Sequence, residues 1–260
     1  MSLIIKSPDL SLAENLGSNV MINFNGTTSY FTILDDFTDN FETYPNDITC
    51  VWWMKNNGGN VAQPVLGIVQ GTNDADGFRI EQIATGTQSY ALRIRTGKDS
   101  GGQEQVFETT NNTIPPAGSV DCYMISTDRA NAAISVYRND TAITTTRTST
   151  TNNDFDHGAG YLSVGRYAPN LSATHFDGCM ARIWIDQRTV DFSVTANRRK
   201  FINAVGQRID YGTNGEIPFG STPKIYLDGD SSTFTQLGTI TFSAGNLTRS
   251  NLTDCSDVLP

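Results

Sequence analysis

Histidine is nearly missing from this chain, with two residues in 260, and its four cysteines form no Cys-x-x-Cys pair. Zinc sites need closely spaced Cys and His ligands, so a zinc-built fold or zinc catalyst is excluded. Charge is also scarce, 17% of residues where an average soluble domain has about a quarter. The balance is acidic, 18 basic against 27 acidic side chains and a net charge of −9. Phosphate backbones are held by clustered Lys and Arg, so nucleic acid is excluded as a partner. No apolar run approaches the ~18 residues of a membrane-spanning helix, so no membrane partner is expected. The opening residues, MSLIIKSPDLSLAENLG, lack the apolar centre of a secretory signal, and synthesis in a cytoplasm is expected. Three of the cysteines, Cys50, Cys122 and Cys179, sit in apolar alternating segments, where a free thiol acts as a small hydrophobe. They and Cys255 are expected as buried free thiols.

What is present is apolar content of 38% and aromatic content of 10%, too much for a disordered chain. Thr, Asn, Ser and 23 Gly take the place of charge. That is the composition of short strands joined by polar turns. Alternation of period two recurs. Ile48, Cys50, Trp52 and Met54 share one face, with Val51 and Trp53 on the other. Tyr90, Leu92 and Ile94 oppose Arg93 and Arg95, and residues 120–127, 133–138, 161–166 and 179–186 repeat the theme. The strands at 48–54 and 179–186 are apolar on both faces, which suits the centre of a packed sheet. Asn25-Gly26, Asn57-Gly58-Gly59, Asp76-Gly77, Asp177-Gly178 and Asn214-Gly215 punctuate the strands as turns. The pattern predicts an antiparallel β-sandwich or jelly roll. One helix is predicted over 193–204, capped by Ser193, with Val194, Phe201 and Val205 on its buried face. There is no internal repeat. Composition shifts near residue 229 toward Ser, Thr, Gly and Asn. The expected organisation is an N-terminal arm over 1–14, a sandwich over 15–228, and a C-terminal arm or added strand over 229–260.

Four segments in order then resemble the laminin-G-like group of the concanavalin A-like lectin/glucanase superfamily. They are Ile22-Asn-Phe-Asn-Gly-Thr-Thr-Ser-Tyr-Phe-Thr-Ile33; Asp47-Ile-Thr-Cys-Val-Trp-Trp-Met-Lys55; the pair Val136–Ile143 and Tyr161–Arg166; and Phe176-Asp-Gly-Cys-Met-Ala-Arg-Ile-Trp-Ile185. The likeness covers about residues 20–205. The closing stretch, Pro223-Lys-Ile-Tyr-Leu-Asp-Gly-Asp230 with Gly238–Thr248, resembles the end of laminin-G-like proteins of tailed bacteriophages and prophages. That resemblance implies a virion protein made in a bacterial host. Asn25, Asn111, Asn139, Asn170, Asn246 and Asn251 satisfy Asn-x-Ser/Thr, read here as chance in an Asn- and Thr-rich chain.

Catalysis finds little support. Glycan hydrolysis on this fold needs two carboxylates on one strand face, which the laminarinase-type relatives carry as Glu-x-Asp-x-x-Glu. Here Glu104 and Glu108 share a face but lack the intervening Asp, and Glu81 has Arg79 beside it as a surface ion partner. Tyr161-Leu-Ser-Val-Gly-Arg-Tyr167 echoes an alginate-lyase strand but puts Ser163 where that strand has Lys. No catalytic residue is assigned.

Binding is better supplied. Calcium takes several oxygens from a tight loop. Asn73, Asp74 and Asp76 form one candidate set, and Asn153, Asp154 and Asp156 another; the plainer reading is hairpin turns. Apart from calcium no cofactor is expected. Tyr30, Tyr44, Phe155, Tyr161 and Tyr167 lie at strand ends or in loops, placed either to stack on sugars or to cover the core edge. Trp52, Trp53 and Trp184 are expected in the core. The favoured expectation is a non-enzymatic virion component of a tailed phage, decorating the capsid or belonging to the tail and its fibres. Its partners would be other virion proteins and copies of itself. The alternative is a host-glycan adhesin, and the third reading a glycan-cleaving enzyme.

Overall fold

The computed structural model describes residues 19–35, 47–58, 62–70, 77–86, 89–98, 103–110, 113–114, 118–128, 131, 133–148, 160–166, 174–240, 247–258 and 260. In chain order the strands are β1 (Val20–Asn25), β2 (Tyr30–Asp35), β3 (Thr49–Asn56), β4 (Gln63–Gln70), β5 (Gly77–Gly86) and β6 (Ser89–Lys98). They continue with β7 (Gln103–Thr109), β8 (Asp121–Asp128), β9 (Ala133–Arg138), β10 (Thr141–Ile143), β11 (Thr145–Arg147), β12 (Gly160–Val164) and β13 (Asp177–Asp186). Helix α1 (Thr195–Arg198) precedes β14 (Ile225–Asp228), β15 (Thr235–Gln236), β16 (Leu247–Ser250) and β17 (Thr253–Val258).

The first sheet runs β10-β9-β8-β3-β13-β1-β17, with β14 and β15 continuing beside β13; the second runs β11-β7-β6-β5-β4-β12-β2-β16. The described strand pairs are antiparallel, giving the sandwich that the alternation predicts. Each side of the sandwich is closed by chain that changes sheets. Thr144 alone separates β10 from β11, and two residues separate β16 from β17. The edge strands formed this way are short, which limits unwanted pairing with other chains.

Period-two alternation sorts the core. Phe24, Phe31, Trp52, Phe78, Ile80, Leu92, Ile94, Leu162 and Val164 meet between the sheets. On β3 the next residue after Trp52 points the other way, and Trp53 joins a second apolar layer with Val51, Trp184, Phe192, Phe201, Tyr211 and Tyr226. This layer is the far face of the first sheet, covered by the excursion from Val190 to Tyr226. Trp184 packs edge-on to Phe201 at 5.2 Å, and its indole N–H donates to the Gly215 carbonyl at 2.9 Å. The three tryptophans are all buried core residues. In β13 a bulge interrupts the register between Ala181 and Trp184. Arg182 occupies it with φ +48° and no exposed surface.

Two expectations fail. Cys50 and Cys122 are buried free thiols, but Cys179 and Cys255 form a disulfide. Their separation of 76 residues hid the pairing, since only the return of β17 to the first sheet brings them together. The helix is also shorter than predicted. Its first flanking residue is Val194, with no side-chain cap, and it spans four residues. Ser193 instead bonds Asp191, at 2.6 Å. Of the expected apolar face only Phe201 is buried, while Val194 and Val205 are exposed. Buried Arg198 fixes the turn by donating to the Phe192 carbonyl at 2.5 Å and to Asp140 at 2.8 Å.

The described residues from 229 onward pack against the same two sheets. Phe234 and Ile240 enter the main core, and β16 and β17 pair with β2 and β1. Asn25 shows why one sequon sits where it does: its side-chain oxygen accepts from the N–H groups of Thr27, Thr28 and Ser29 and builds the β1–β2 turn.

Candidate functional site

The first sheet has an apolar layer on each face, the outer one packed under the chain's own excursion from Val190 to Tyr226. The second sheet turns Phe78, Ile80, Leu92 and Ile94 to the core. Alternation therefore sends Arg79, Glu81, Arg93 and Arg95 to its outer face.

Register assembles these into a ladder. Glu81 stands opposite Arg93, and Arg93 opposite Glu108, across β5, β6 and β7. The Arg93 guanidinium donates to Glu108 at 2.7 Å, and Arg95 Nε donates to Glu81 at 3.3 Å. Arg79 lies directly opposite Arg95. Two guanidinium groups side by side repel, and the Glu81 carboxylate between them and Arg93 offsets that repulsion. Glu81 and Arg79 are both buried, so the ladder is sunk into the face. The ion partners of Glu81 come from the neighbouring strand, where the sequence had suggested Arg79 on its own.

A trough runs beside the ladder. From Arg95 and Arg79 the cross-strand row continues to Gly67, Ser163 and Thr32. The next row runs from Gly97 through Gly77, Val69 and Tyr161 to Leu34. In the first row only Gly67 stands between Arg79 and Ser163, while in the second Val69 stands between Gly77 and Tyr161. The trough at Gly67 is thus flanked by guanidinium groups on one side and by Ser163 and the half-exposed Tyr161 phenol on the other. Ser163 donates to the Arg166 carbonyl at 2.7 Å, which fixes that wall. Polar groups set around a floor open to a ring stacked from one side are the parts of a polyhydroxylated-ligand site.

Of the aromatic candidates, Tyr161 and Tyr30 lie on this same outer face, with Ser163 and Thr32 between them. One face of the Tyr30 ring is covered by the Arg166 guanidinium, 3.7 Å from its centroid. Tyr44, Phe155 and Tyr167 lie outside the described residues, as do Asn73, Asp74, Asp76, Asn153, Asp154 and Asp156. Among the described residues no cluster of His, Cys, Asp or Glu is disposed to hold a metal. Glu104 falls opposite Gly97 and Glu108 opposite Arg93, so the two share a face as their spacing requires. The arginines of the ladder were missed because alternation gives a residue's face but not its cross-strand neighbour.

A second concavity, of about 550 Å³, opens beside β14 and is lined by Asp210, Glu216, Asp228, Thr233 and Thr235. Beneath it Tyr226 donates to Asp228 at 2.9 Å, and Arg182 lies 3.8 Å from the same carboxylate. Burial pushes the Asp228 carboxyl above its ordinary range, and Arg182 works against that push. Arg182 also donates to the Ile209 carbonyl at 2.7 Å, so this network fastens the excursion to β13 and β14.

No family model matches the sequence, and no curated protein matches it. Solved structures do share its architecture. A heptameric SAP-like pentraxin from Limulus polyphemus superposes with a TM-score of 0.50 at 11% identity, over 67% of this chain and 78% of that one. A candidate carbohydrate-binding protein from Bacteroides ovatus gives 0.50 at 10% identity, over 94% of this chain and 62% of that one. The CBM40 of Ruminococcus gnavus IT-sialidase, bound to α2,3-sialyllactose, gives 0.49 at 15% identity, over 66% and 92%. At such identities the likeness is one of fold: the chain is an antiparallel β-sandwich of the jelly-roll kind.

Proposed function

We propose that this chain is a non-catalytic glycan-binding protein whose ligand lies along the trough on the outer face of the second sheet. One observation carries the reading. Arg79, Arg95, Ser163 and Tyr161 lie on one face of the second sheet around Gly67, on the side that lacks an apolar cover among the described residues. Guanidinium groups donate to sugar hydroxyls and carboxylates, and the phenol ring offers a stacking edge. Glu81 and Glu108 are each engaged by arginine, an arrangement suited to orienting donors rather than to delivering a proton to a leaving group. The Bacteroides ovatus neighbour lends only its scaffold to this argument. The proposed setting is the surface of a tailed-phage particle, among other virion proteins, and it rests on the resemblance of the segment 223–248.

A polysaccharide array probed with wild type, Arg95→Ala and Tyr161→Ala tests the binding site. Each variant is expected to bind at least about tenfold more weakly while melting close to wild type. Equal binding by all three, or none by wild type, removes the reading. Immunogold labelling of intact particles tests the setting: label on heads favours decoration, label on tails favours adhesion, and no label removes it.

A further inference from the structure

We infer that Cys179–Cys255 is a thiol-exchange site, opened by small thiols in the folded protein, and that its opening releases β17 from the sandwich. Three observations lead there. First, the disulfide forms part of the wall of a surface cavity of about 310 Å³, shared with Asn23, Lys55, Asn57, Asp254 and Ser256. Cys179 is buried while Cys255 is half-buried, so Cys255 presents the sulfur a reagent reaches. Lys55 and Asp254 put both signs of charge on the cavity wall, so neither a neutral nor a charged thiol is turned away.

Second, few buried groups among the described residues anchor the start of β17. It is the edge of the first sheet and pairs with β1 through Val20, Ile22 and Asn23. Thr253, Asp254 and Ser256 are exposed, and Leu252 and Cys255 are the apolar groups at its start that pack inward. Its described side-chain ties are at the surface, Asn23 to Thr253 at 3.1 Å and Ser231 N–H to Asp254 at 2.7 Å, and beyond its ends Ser29 donates to the Asn251 carbonyl at 2.7 Å and Arg208 N–H to the Pro260 carbonyl at 3.1 Å. An edge strand whose residues 253, 254 and 256 face solvent opens locally at low cost once its covalent tie is cut. Third, Cys50 and Cys122 are wholly buried, and burial drives both thiols well above their ordinary range, so neither serves as an exchange partner.

The chemistry balances as ordinary exchange with a dithiol. One thiolate attacks the Cys255 sulfur, the bond to Cys179 breaks, and Cys179 leaves as a thiolate that takes a proton from water. The second thiolate of the reagent displaces Cys255, leaving two protein thiols and one oxidised dithiol. Disulfide-form glutathione runs the reaction backward and is itself reduced to two thiols.

The test uses the full chain, purified under oxidising conditions, then treated with dithiothreitol without denaturant and alkylated with iodoacetamide. Peptide mass analysis is expected to find label on Cys179 and Cys255 and none on Cys50 or Cys122. Amide exchange over 247–258 should rise about tenfold or more while that of β3 and β13 stays unchanged. Cys255→Ser, without reductant, should show the same exchange pattern. Label reaching all four cysteines together means reduction waits on global unfolding and overturns the inference. So does absence of label in the folded state, free Cys179 and Cys255 before treatment, or label without added exchange over 247–258.

Discussion

The first and second sheets are woven from strands of the same alternating kind, yet among the described residues one carries an apolar layer on both faces and the other on one. Trp52 and Trp53 show the difference at its sharpest, since adjacent residues of β3 enter two separate apolar layers. On β5 and β6 the residues facing away from the core are Arg79, Glu81, Arg93 and Arg95. A strand apolar on both faces demands a cover, and the excursion from Val190 to Tyr226 supplies it. A strand with charged residues on one face forbids such a cover and leaves a surface that a polar ligand can reach.

That contrast can be broken on the covered side first. Trp184→Ala, which empties the centre of the second layer, is expected to cost about 4 kcal/mol in denaturant unfolding. If it costs no more than Tyr161→Ala on the open face, the excursion is not a structural cover. Glu81→Gln sharpens the comparison from the other side. It removes the carboxylate that Arg93 and Arg95 share, at a cost of about 1–2 kcal/mol because both arginines are partly solvated. Added salt should narrow that gap, and a gap indifferent to salt would refute the charge-ladder account.

The smallest effect concerns the edge of the cover. Asp140, in the turn after β9, accepts from Arg199 and Arg198, and these hydrogen bonds, Arg199's foremost, lower its carboxyl to about 2. A depressed carboxyl stabilises the fold above its ordinary value of 3.8, and the gain is lost as pH falls from there toward about 2. The group is partly exposed, so water holds the gain to about 1 kcal/mol or less. Wild type should therefore outlast Asp140→Asn in thermal melts near neutral pH, with the two converging at about pH 2.

Much of this was legible from residues alone. Alternation at 48–54 and 179–186 identified the two central strands of the first sheet, and their apolar second faces announced a second packed layer. Tyr90 to Arg95 told which residues face the core and which face away. The helix was misjudged because Val194 and Val205 fit a helical period, while Asp191 captures Ser193 and buried Arg198 ends the turn after one cycle. The disulfide was missed because Cys255 lies in a polar stretch with no apolar rhythm of its own.

The sequence by itself determined the class of fold, the core faces of the strands and the tryptophan positions, because period-two burial is a local property of each strand. Only the tertiary structure decided which charges meet. Whether Arg95 faces Glu81, Gly67 separates Arg79 from Ser163, or Cys179 reaches Cys255 depends on register and strand order. Those are fixed by contacts between segments far apart in the chain, and no single segment carries them.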